Sequence, residues 1–394
     1  MSAASLKALR VLISGAGIAG PALALGLAEY GAHVTVVEIA PRLRGSGFAV
    51  DFRGPTHTAV LRRLGVLDDL RARQTHGSAM VCVDEHDREI FTLPAAFTGG
   101  ELEVRRRDLS RLLHERGADR VEYLFGDTIT SLHDTGTAVQ VGFRDSGTRH
   151  FDLVIGADGM HSTVRRLAFG DEHRFLQPLG HHIAGWDLPN TFGFHGSSRY
   201  FNVPGRMVSI APDPRDPARA TAMVVFRSAD PAVDWHDHDA QKKLIAHDFA
   251  DLPWHVPAVL ATLTDAPDLY FDAIAKVHSP DWTRGRIALL GDAAWGVTLG
   301  GMGVGTGLVG AHVLAGELAG AGADHRVAFA AYEQRMRAYA GRWQKGADPG
   351  KFLAPATRLG LALRNRLLAT GVVQRMLLSG TKSLATDADL PDYP

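Results

Sequence analysis

The sequence predicts an α/β fold in which both ends of the chain build one parallel sheet and an antiparallel sheet is inserted between them. Glycine-rich turns follow apolar runs near both ends, a pattern typical of strands buried in a parallel sheet. Between residues 180 and 271, short alternating runs interrupted by Pro and Gly are typical of antiparallel strands. We therefore expect two sheets of different type.

The composition is that of a globular protein with a sizeable core. The 394 residues are 45% hydrophobic and 22% charged, with a formal net charge of -1. This balance gives no indication of a nucleic-acid partner. The single cysteine, Cys82, excludes an internal disulfide framework and a cysteine-rich metal site. The uncharged segments 11–28 and 293–316 contain too many glycines to favour a membrane span, so we expect a soluble, cytoplasmic monomer or homodimer.

The elements of the first half follow from periodicity and from helix stop signals. A strand at 10–14 precedes a helix at 21–30 that ends at Gly31, and Pro55 and Gly65 flank another helix. The other elements predicted in this half are strands at 34–38, 121–125, 138–143 and 153–155 and a helix at 108–116. A turn signal at 145–147 lies between the last two strands.

The second half begins with the antiparallel pattern and then returns to the parallel one. Strands are predicted within 199–210 and 220–227 and at 287–290, and helices at 237–250, 254–264, 310–318 and 328–343. From 351 to 379, apolar residues alternate with arginines, which predicts one or two amphipathic helices.

A glycine-rich turn, GAGIAG, follows the first strand. Gly15, Gly17 and Gly20 allow a tight turn and a close approach of the backbone, and the next helix aims its positive end at the same place. Glu38 ends the second strand, where an acid accepts hydrogen bonds from ribose hydroxyls. Together they indicate a dinucleotide site, and the alternative is an ordinary strand-to-helix turn.

Two further motifs follow the buried strands at 153–155 and 287–290. The first, GADGMHSTVR at 156–165, places Asp158 at a strand end, where open α/β sheets bind ligands; the alternative is a helix capped by Ser162. The second, GDAA at 291–294, places Asp292 to bind a sugar-like hydroxyl. The glycine loop that follows can present N–H groups to a carbonyl or an anion, or it can serve packing alone.

The three motifs, in this order and together with the Arg106-x-Asp108-Leu109 spacing, resemble the FAD-dependent aromatic hydroxylases of the para-hydroxybenzoate hydroxylase type, the class A flavoprotein monooxygenases. Residues 10–339 carry the resemblance, and the tetracycline-inactivating branch is the most similar. The resemblance implies a Rossmann-like FAD-binding domain (1–74, 105–178 and 275–345), an inserted antiparallel substrate domain (75–104 and 179–274) and a C-terminal helical segment (346–394).

The resemblance also implies roles for single residues. Gly15, Gly17 and Gly20 would hold the FAD pyrophosphate, Glu38 the adenosine ribose and Asp292 the ribityl chain. Asp158 would be tied to both FAD and NAD(P)H. The other expected FAD contacts are Ile18, Ala19, Arg44 (or in its place Arg42), Arg106, Gly300, Gly301, Met302 and Gly303, the last four at the pyrimidine edge of the isoalloxazine.

The chain departs from the family pattern after GDAA. Trp295 stands where the family has His or Tyr, and the family's Pro some four residues on is absent. By the resemblance, residues 296–303 would lie beside the reacting edge of the flavin. We therefore still expect FAD binding, and the departure bears on which reaction the flavin carries out.

Substrate contacts are expected on the antiparallel sheet, whose face would cover the flavin. The residues predicted there are Trp186, Phe192, Phe194, Arg199 and Met207. Trp295, where the chain departs from the family pattern, is predicted as a further contact. Any one of these types is more often a core or surface residue than a ligand. No catalytic acid or base is predicted, and no metal site, because the acidic and histidine-rich stretch at 234–239 is typical of a solvated loop or a helix start.

These expectations converge on one function with two alternatives. The resemblance implies a monooxygenase that binds FAD and uses NADH or NADPH and O2 to hydroxylate a hydrophobic aromatic or polyketide-like molecule through a flavin C4a-hydroperoxide. The alternatives are a flavin-dependent oxidase or dehydrogenase on the same fold, and a non-catalytic flavoprotein that binds a natural product. The C-terminal helices could cover the substrate domain, form a dimer face or touch a membrane surface, and we favour the first.

Overall fold

The computed structural model describes residues 6–43, 48–228, 237–266, 268–299, 303–345, 348–385, 390–391 and 393. The first elements in chain order are β1 (Arg10–Ser14), α1 (Ala19–Glu29), β2 (His33–Glu38), β3 (Ala49–Phe52), α2 (Gly54–Arg63), α3 (Leu67–Arg71), β4 (Ala79–Val83), β5 (Glu89–Leu93), α4 (Ala95–Thr98), β6 (Leu102–Arg105) and α5 (Arg106–Gly117). They are followed by β7 (Val121–Phe125), β8 (Ile129–Asp134), β9 (Val139–Phe143), β10 (Thr148–Phe151), β11 (Leu153–Gly156), α6 (Thr163–Phe169), β12 (Leu176–Pro189), β13 (Ser197–Val203), β14 (Arg206–Asp213) and β15 (Asp216–Arg227). The remaining elements are α7 (His238–Phe249), α8 (Val256–Ala261), β16 (Tyr270–Val277), β17 (Thr283–Arg284), β18 (Ile287–Leu289), α9 (Asp292–Trp295), α10 (Gly303–Gly320), α11 (His325–Gln344), α12 (Pro349–Leu353), α13 (Arg358–Leu368) and α14 (Gly371–Ala385).

A six-stranded sheet with the order β17-β18-β11-β1-β2-β7 forms the first layer. Every neighbouring pair is parallel except β17 with β18. The side chains of β1 and β11 are buried almost throughout, as expected for parallel strands covered on both faces. Because β11 pairs with β1 on one side and β18 on the other, the carboxyl ends of these three strands lie side by side. This arrangement brings the three glycine motifs to one edge of the sheet.

A seven-stranded sheet with the order β16-β12-β15-β14-β13-β4-β5 forms the second layer, and it is antiparallel except where β13 pairs with β4. Its strands alternate between two covered faces. On the distal face, Trp186 and Phe226 pack with Ile245 of α7 and Val259 of α8. On the opposite, proximal face, side chains such as Ile183 and Met207 pack with residues of α12 and α13. The predicted α/β fold, with an antiparallel sheet and C-terminal helices, is confirmed.

Several predicted boundaries differ from the observed ones. The turn at 145–147 joins β9 to β10, a short antiparallel partner that the sequence analysis did not predict. The described part of the C-terminal segment forms three helices, and the break after α12 coincides with Pro355, which cannot donate the N–H that a continuing helix needs. Strands β12 and β16 run across the predicted domain boundaries at 178/179 and 274/275. The domain division itself remains a prediction.

Cys82 is buried among the apolar side chains on the proximal face of the seven-stranded sheet, which we call the proximal cluster. Burial raises the pKa of its thiol to about 11, which makes it a poor nucleophile. In the part of the chain that the structure describes, no helix is both long and apolar enough to cross a bilayer.

Candidate functional site

A cleft of about 350 Å³ opens where the carboxyl edge of the parallel sheet meets β16. All three glycine motifs contribute to its walls. Of the predicted site residues, those that line it are Gly15, Gly17, Ile18, Ala19, Glu38, Arg106, Asp158, Asp292 and Gly303. The predicted contacts Arg44, Gly300, Gly301 and Met302 lie outside the described residues.

The glycines of the first motif serve two different purposes. Gly15 has a φ of +105°, and a Cβ there would lie 2.5 Å from the carbonyl oxygen of Ala157. A Cβ at Gly20 would collide with the carbonyl oxygen of Gly15, so the turn needs glycine at this position to let the two backbone segments approach. A Cβ at Gly17 would meet only the Arg106 guanidinium, at 4.0 Å. Gly17 therefore leaves open a place that faces the cleft.

Glu38 is held at the rim of the cleft by two backbone amides. Its Oε2 accepts a hydrogen bond of 2.8 Å from the N–H of Ala16, and its Oε1 accepts one of 3.0 Å from the N–H of Ala40. Ser110 of α5 donates to the carbonyl of Gly17 at 3.1 Å and so braces the same loop. Two backbone donors thereby hold the carboxylate at the edge of the glycine turn.

Arg106 and Asp292 contribute opposite charges to the cleft. Burial raises the pKa of the Asp292 carboxyl, the positive charge of Arg106 lowers it, and Asp272 raises it further, so the net shift is upward. None of the described residues donates a hydrogen bond to this carboxylate. A Cβ at Gly303 would lie 3.2 Å from Asp292 Oδ1, so glycine there leaves the carboxylate room. Asp292 is therefore poised to accept hydrogen bonds from a ligand.

Asp158 is engaged within the protein as well as facing the cleft. It accepts hydrogen bonds of 3.1 Å from the Ser14 hydroxyl and from the N–H of Val164, and another from the Ser162 hydroxyl. Ser162 in turn caps α6 by accepting from the N–H of Arg165 at 3.0 Å. Burial raises the pKa of Asp158, and these hydrogen bonds partly offset the rise. The helix-cap alternative is thus observed, and Asp158 ties β1 to the second motif.

Two residues of the second motif that were given no role make long-range contacts. Arg165 is fully buried and donates to the carbonyl oxygens of Ala293 and Met160 at 2.9 and 2.5 Å. His161 lines the cleft between Glu172 and Asp272, with a ring nitrogen 3.1 Å from a carboxylate oxygen of each. Burial lowers the pKa of His161, but the two carboxylates outweigh burial and raise it to about 9. His161 therefore carries a positive charge at neutral pH.

The end of the cleft at the antiparallel sheet is aromatic. Tyr270 and Phe271 of β16 line it, and the Tyr270 ring meets Phe48 edge to face at a centroid distance of 5.5 Å. The Phe48 ring lies against Gly185 of β12, where a Cβ would come within 2.5 Å of it. Burial raises the pKa of Tyr270, so its phenol stays neutral. Tyr270 and Phe48 were not among the aromatic residues that the sequence predicted as substrate contacts.

None of the six predicted substrate residues lines the cleft. Trp186 and Phe194 are buried on the distal face, and the indole N–H of Trp186 donates to the hydroxyl of Thr262 at 2.9 Å. Phe192 stacks on Phe194, and Arg199 lies over the same ring while pairing with Asp87. For Trp186 and Arg199 the physical reason is strand alternation, which sends neighbouring residues to opposite faces, whereas Phe192 and Phe194 lie in the loop between β12 and β13.

The other two predicted substrate residues face the core. Met207 is fully buried on the proximal face. Trp295 packs against Trp282 at a centroid distance of 4.8 Å, and its indole N–H donates to Thr306 at 3.2 Å. The Trp295 side chain, which departs from the family pattern, therefore points away from the cleft.

The acidic and histidine-rich stretch at 234–239 lies partly outside the described residues. Its described part begins α7, where Asp237 accepts a hydrogen bond of 2.9 Å from the N–H of Ala240 and acts as the N-cap. Across the described ranges, no group of three His, Cys, Asp or Glu side chains is arranged to hold a metal ion.

The residues of the cleft fit FAD. The open place at Gly17, next to the N-terminus of α1, suits a pyrophosphate. The fixed carboxylate of Glu38 suits ribose hydroxyls, and the Asp292 carboxylate, which no described residue hydrogen-bonds, suits a polyol chain.

Comparisons with known proteins agree with this fit. Over residues 8–344 the chain matches the family described as FAD binding domain. A flavin-dependent monooxygenase from an unknown prokaryotic organism is 36% identical over 335 residues, which cover 84% of this chain and 86% of that protein. The crystal structure of tetracycline destructase Tet(51) has a TM-score of 0.87 at 28% identity and covers 98% of this chain and 100% of its own. That of Tet(55) has a TM-score of 0.81 at 32% identity and covers 100% of both chains. The chain belongs to the FAD-binding family of flavoprotein monooxygenases.

Proposed function

We propose that this monooxygenase uses NADH or NADPH and O2 to hydroxylate a hydrophobic aromatic or polyketide-like molecule. The observation that carries the proposal is that one cleft joins two different environments. Gly17, Glu38 and Asp292 make one end polar, and Tyr270 with Phe48 makes the other end aromatic. A cofactor and an aromatic substrate can meet only where such ends adjoin.

At the polar end, the residues bind and orient the cofactor. The N-terminus of α1 and the open place at Gly17 would hold the pyrophosphate, Glu38 would accept from the ribose, and Asp292 from the ribityl hydroxyls. The guanidinium of Arg106 adds positive charge on the same wall. FAD, when bound, would take up the reducing equivalents of NADH or NADPH and activate O2, which side chains cannot do.

At the aromatic end, the side chains orient the substrate and exclude water. Tyr270 belongs to an apolar cluster whose other partly buried members include Phe48, Met223, Leu299 and Phe352. Such a surface favours a flat, hydrophobic molecule and keeps the reacting edge dry. The similarity to two tetracycline destructases supports a polycyclic polyketide as the substrate class.

Among the described residues, no observation favours the oxidase alternative. That alternative rested on the altered sequence after Asp292, where Trp295 is buried against Trp282 away from the cleft. We therefore argue only the hydroxylase function for this site.

The test is isotope incorporation by the purified yellow protein. NADH or NADPH oxidation is followed with a panel of phenols and tetracycline-like polyketides. The masses of products formed under ¹⁸O₂ are then measured by mass spectrometry. The proposal predicts that one compound stimulates oxidation and gains one ¹⁸O atom. A dehydrogenated, unlabelled product would establish an oxidase or dehydrogenase, and a tightly bound, unchanged compound would establish a binding protein.

A further inference from the structure

The C-terminal helices α13 and α14 have one face fixed to the antiparallel sheet. Leu368 and Val373 pack in the proximal cluster. Arg364 of α13 donates to the carbonyl of Phe352 at 2.9 Å, and Gln374 of α14 donates to the carbonyl of Thr92 at 3.0 Å. These contacts hold the two helices in a defined orientation, so their opposite faces are also defined.

The opposite face of these helices is apolar and exposed. Leu359, Leu363 and Leu367 recur every fourth residue along α13, with exposed fractions of 80%, 56% and 47%. Val372 and Met376 of α14 repeat the spacing at 61% and 67%. We call these five side chains the outer stripe. In the described residues, the other exposed large apolar side chains are Ile39, Ile90 and Val327, which lie on other elements.

Positive charge surrounds the outer stripe. The exposed arginines of these two helices are Arg358, Arg366 and Arg375. The sequence from 349 to 385 contains no Asp or Glu, although the whole chain has a net charge of -1. Its basic residues are Lys351, Arg358, Arg364, Arg366, Arg375 and Lys382. The segment is therefore both apolar and purely basic.

We propose that the outer stripe docks on the surface of an anionic lipid bilayer. Exposed leucines that lie among arginines and no acids match the interface between acyl chains and acidic headgroups, where each basic residue adds attraction. A second copy of this chain fits less well, because a two-fold interface would place the arginines of both copies against each other. The charge pattern thus favours lipid over self-association.

The outer stripe lies at the far edge of the antiparallel sheet from the cleft. Gln374 of α14 donates to the carbonyl of Thr92 on β5, whereas Tyr270 of the cleft lies on β16, and β5 and β16 are the two opposite edge strands of this sheet. The docking proposal therefore stands independently of the proposed function.

The test is co-sedimentation of the flavin-loaded, full chain with vesicles. Vesicles of equal parts phosphatidylcholine and phosphatidylglycerol are compared with vesicles of phosphatidylcholine alone. We expect binding to the anionic vesicles to be about tenfold tighter or more, and to weaken as NaCl is raised.

Two variants and one control locate the surface. Leu359→Ser combined with Leu363→Ser removes apolar contacts, and Arg358→Glu combined with Arg366→Glu reverses charge. Each pair is expected to weaken binding about tenfold or more. Val327→Ser, at a 59% exposed position on α11, is expected to bind as the unchanged protein does. Circular dichroism and flavin absorbance verify that all variants are folded.

Three results would overturn the proposal. One is no binding to anionic vesicles, and another is binding that both variant pairs leave unchanged. The third is a dimer in analytical ultracentrifugation that both pairs dissociate, which would make the outer stripe a subunit interface. NAD(P)H oxidation measured without vesicles tests the proposed function separately, so the two failures are distinguishable.

Discussion

The guanidinium of Arg165 donates a hydrogen bond of 2.9 Å to the main-chain carbonyl of Ala293, and this bond joins the second glycine motif to the third. The Ser14 hydroxyl, which donates to Asp158 at 3.1 Å, joins the first motif to the second. Three segments separated by more than a hundred residues are thereby held as one unit.

Arg165→Leu is expected to destabilise the protein by about 2–4 kcal/mol. The substitution leaves the buried carbonyls of Ala293 and Met160 without their donor, and buried unpaired polar groups are costly. Urea unfolding measures the loss. Arg166→Leu is the matched control, because the adjacent arginine is exposed, and its effect is expected to stay within about 0.5 kcal/mol. Equal effects of the two substitutions would show that the bond contributes nothing.

Gly17→Val is expected to weaken FAD binding while leaving the stability of the flavin-free protein nearly unchanged. A Cβ at Gly17 would meet only the Arg106 guanidinium, at 4.0 Å, so we expect the free energy of unfolding of the flavin-free protein to change by less than about 1 kcal/mol. The same side chain fills the open place in the cleft and should weaken FAD binding about tenfold or more. Gly15→Ala is expected to behave differently and cost about 1–3 kcal/mol of stability, because φ is positive and Cβ meets backbone. Tight FAD binding by Gly17→Val would disprove the assigned role.

The stability that His161 contributes is expected to disappear between pH 6.5 and pH 9. Its pKa rises from 6.5 to about 9 on folding, so the folded protein binds the proton more tightly. The contribution is therefore complete below pH 6.5 and lost as the pH approaches 9. We expect His161→Gln to cost on the order of 2 kcal/mol at pH 6 and little above pH 9.5. A pH-independent difference between the two unfolding curves would refute the charged pairing with Glu172 and Asp272.

Tyr270→Ala is expected to raise KM for the aromatic substrate about tenfold while FAD content stays unchanged. The substitution removes the ring that meets Phe48 at the aromatic end of the cleft. Tyr270→Phe keeps the ring and should stay within about threefold of the unchanged enzyme. A loss of FAD in Tyr270→Ala, or an unchanged KM, would place the substrate elsewhere.

Glycine spacing predicted the location of the cleft because the backbone needs glycine at particular points. A positive φ at Gly15 and the close approach at Gly20 leave no other residue type, so the pattern is visible in the sequence. Buried strands are equally visible as apolar runs. For these reasons the parallel sheet and its glycine motifs could be predicted from the sequence.

The aromatic end could not be predicted, because alternation along a strand does not say which face meets the cleft. Trp186 and Gly185 are adjacent, yet Trp186 packs under α8 and Gly185 lies against Phe48. The role of His161 could not be predicted for a related reason. Its partner Asp272 lies 111 residues away, and only the packing of β16 against the parallel sheet brings them together.

The most direct test is the number of FAD molecules that each purified chain retains after reconstitution. We predict one FAD per chain, a large loss in Asp292→Asn, and full retention in the exposed control Asp281→Asn. The flavin-free Asp292→Asn protein should be no less stable than the unchanged one, since no described residue hydrogen-bonds the buried carboxylate and burial raises its pKa. A chain that takes up no flavin, or an Asp292→Asn variant that retains a full complement, would contradict the cleft proposed here.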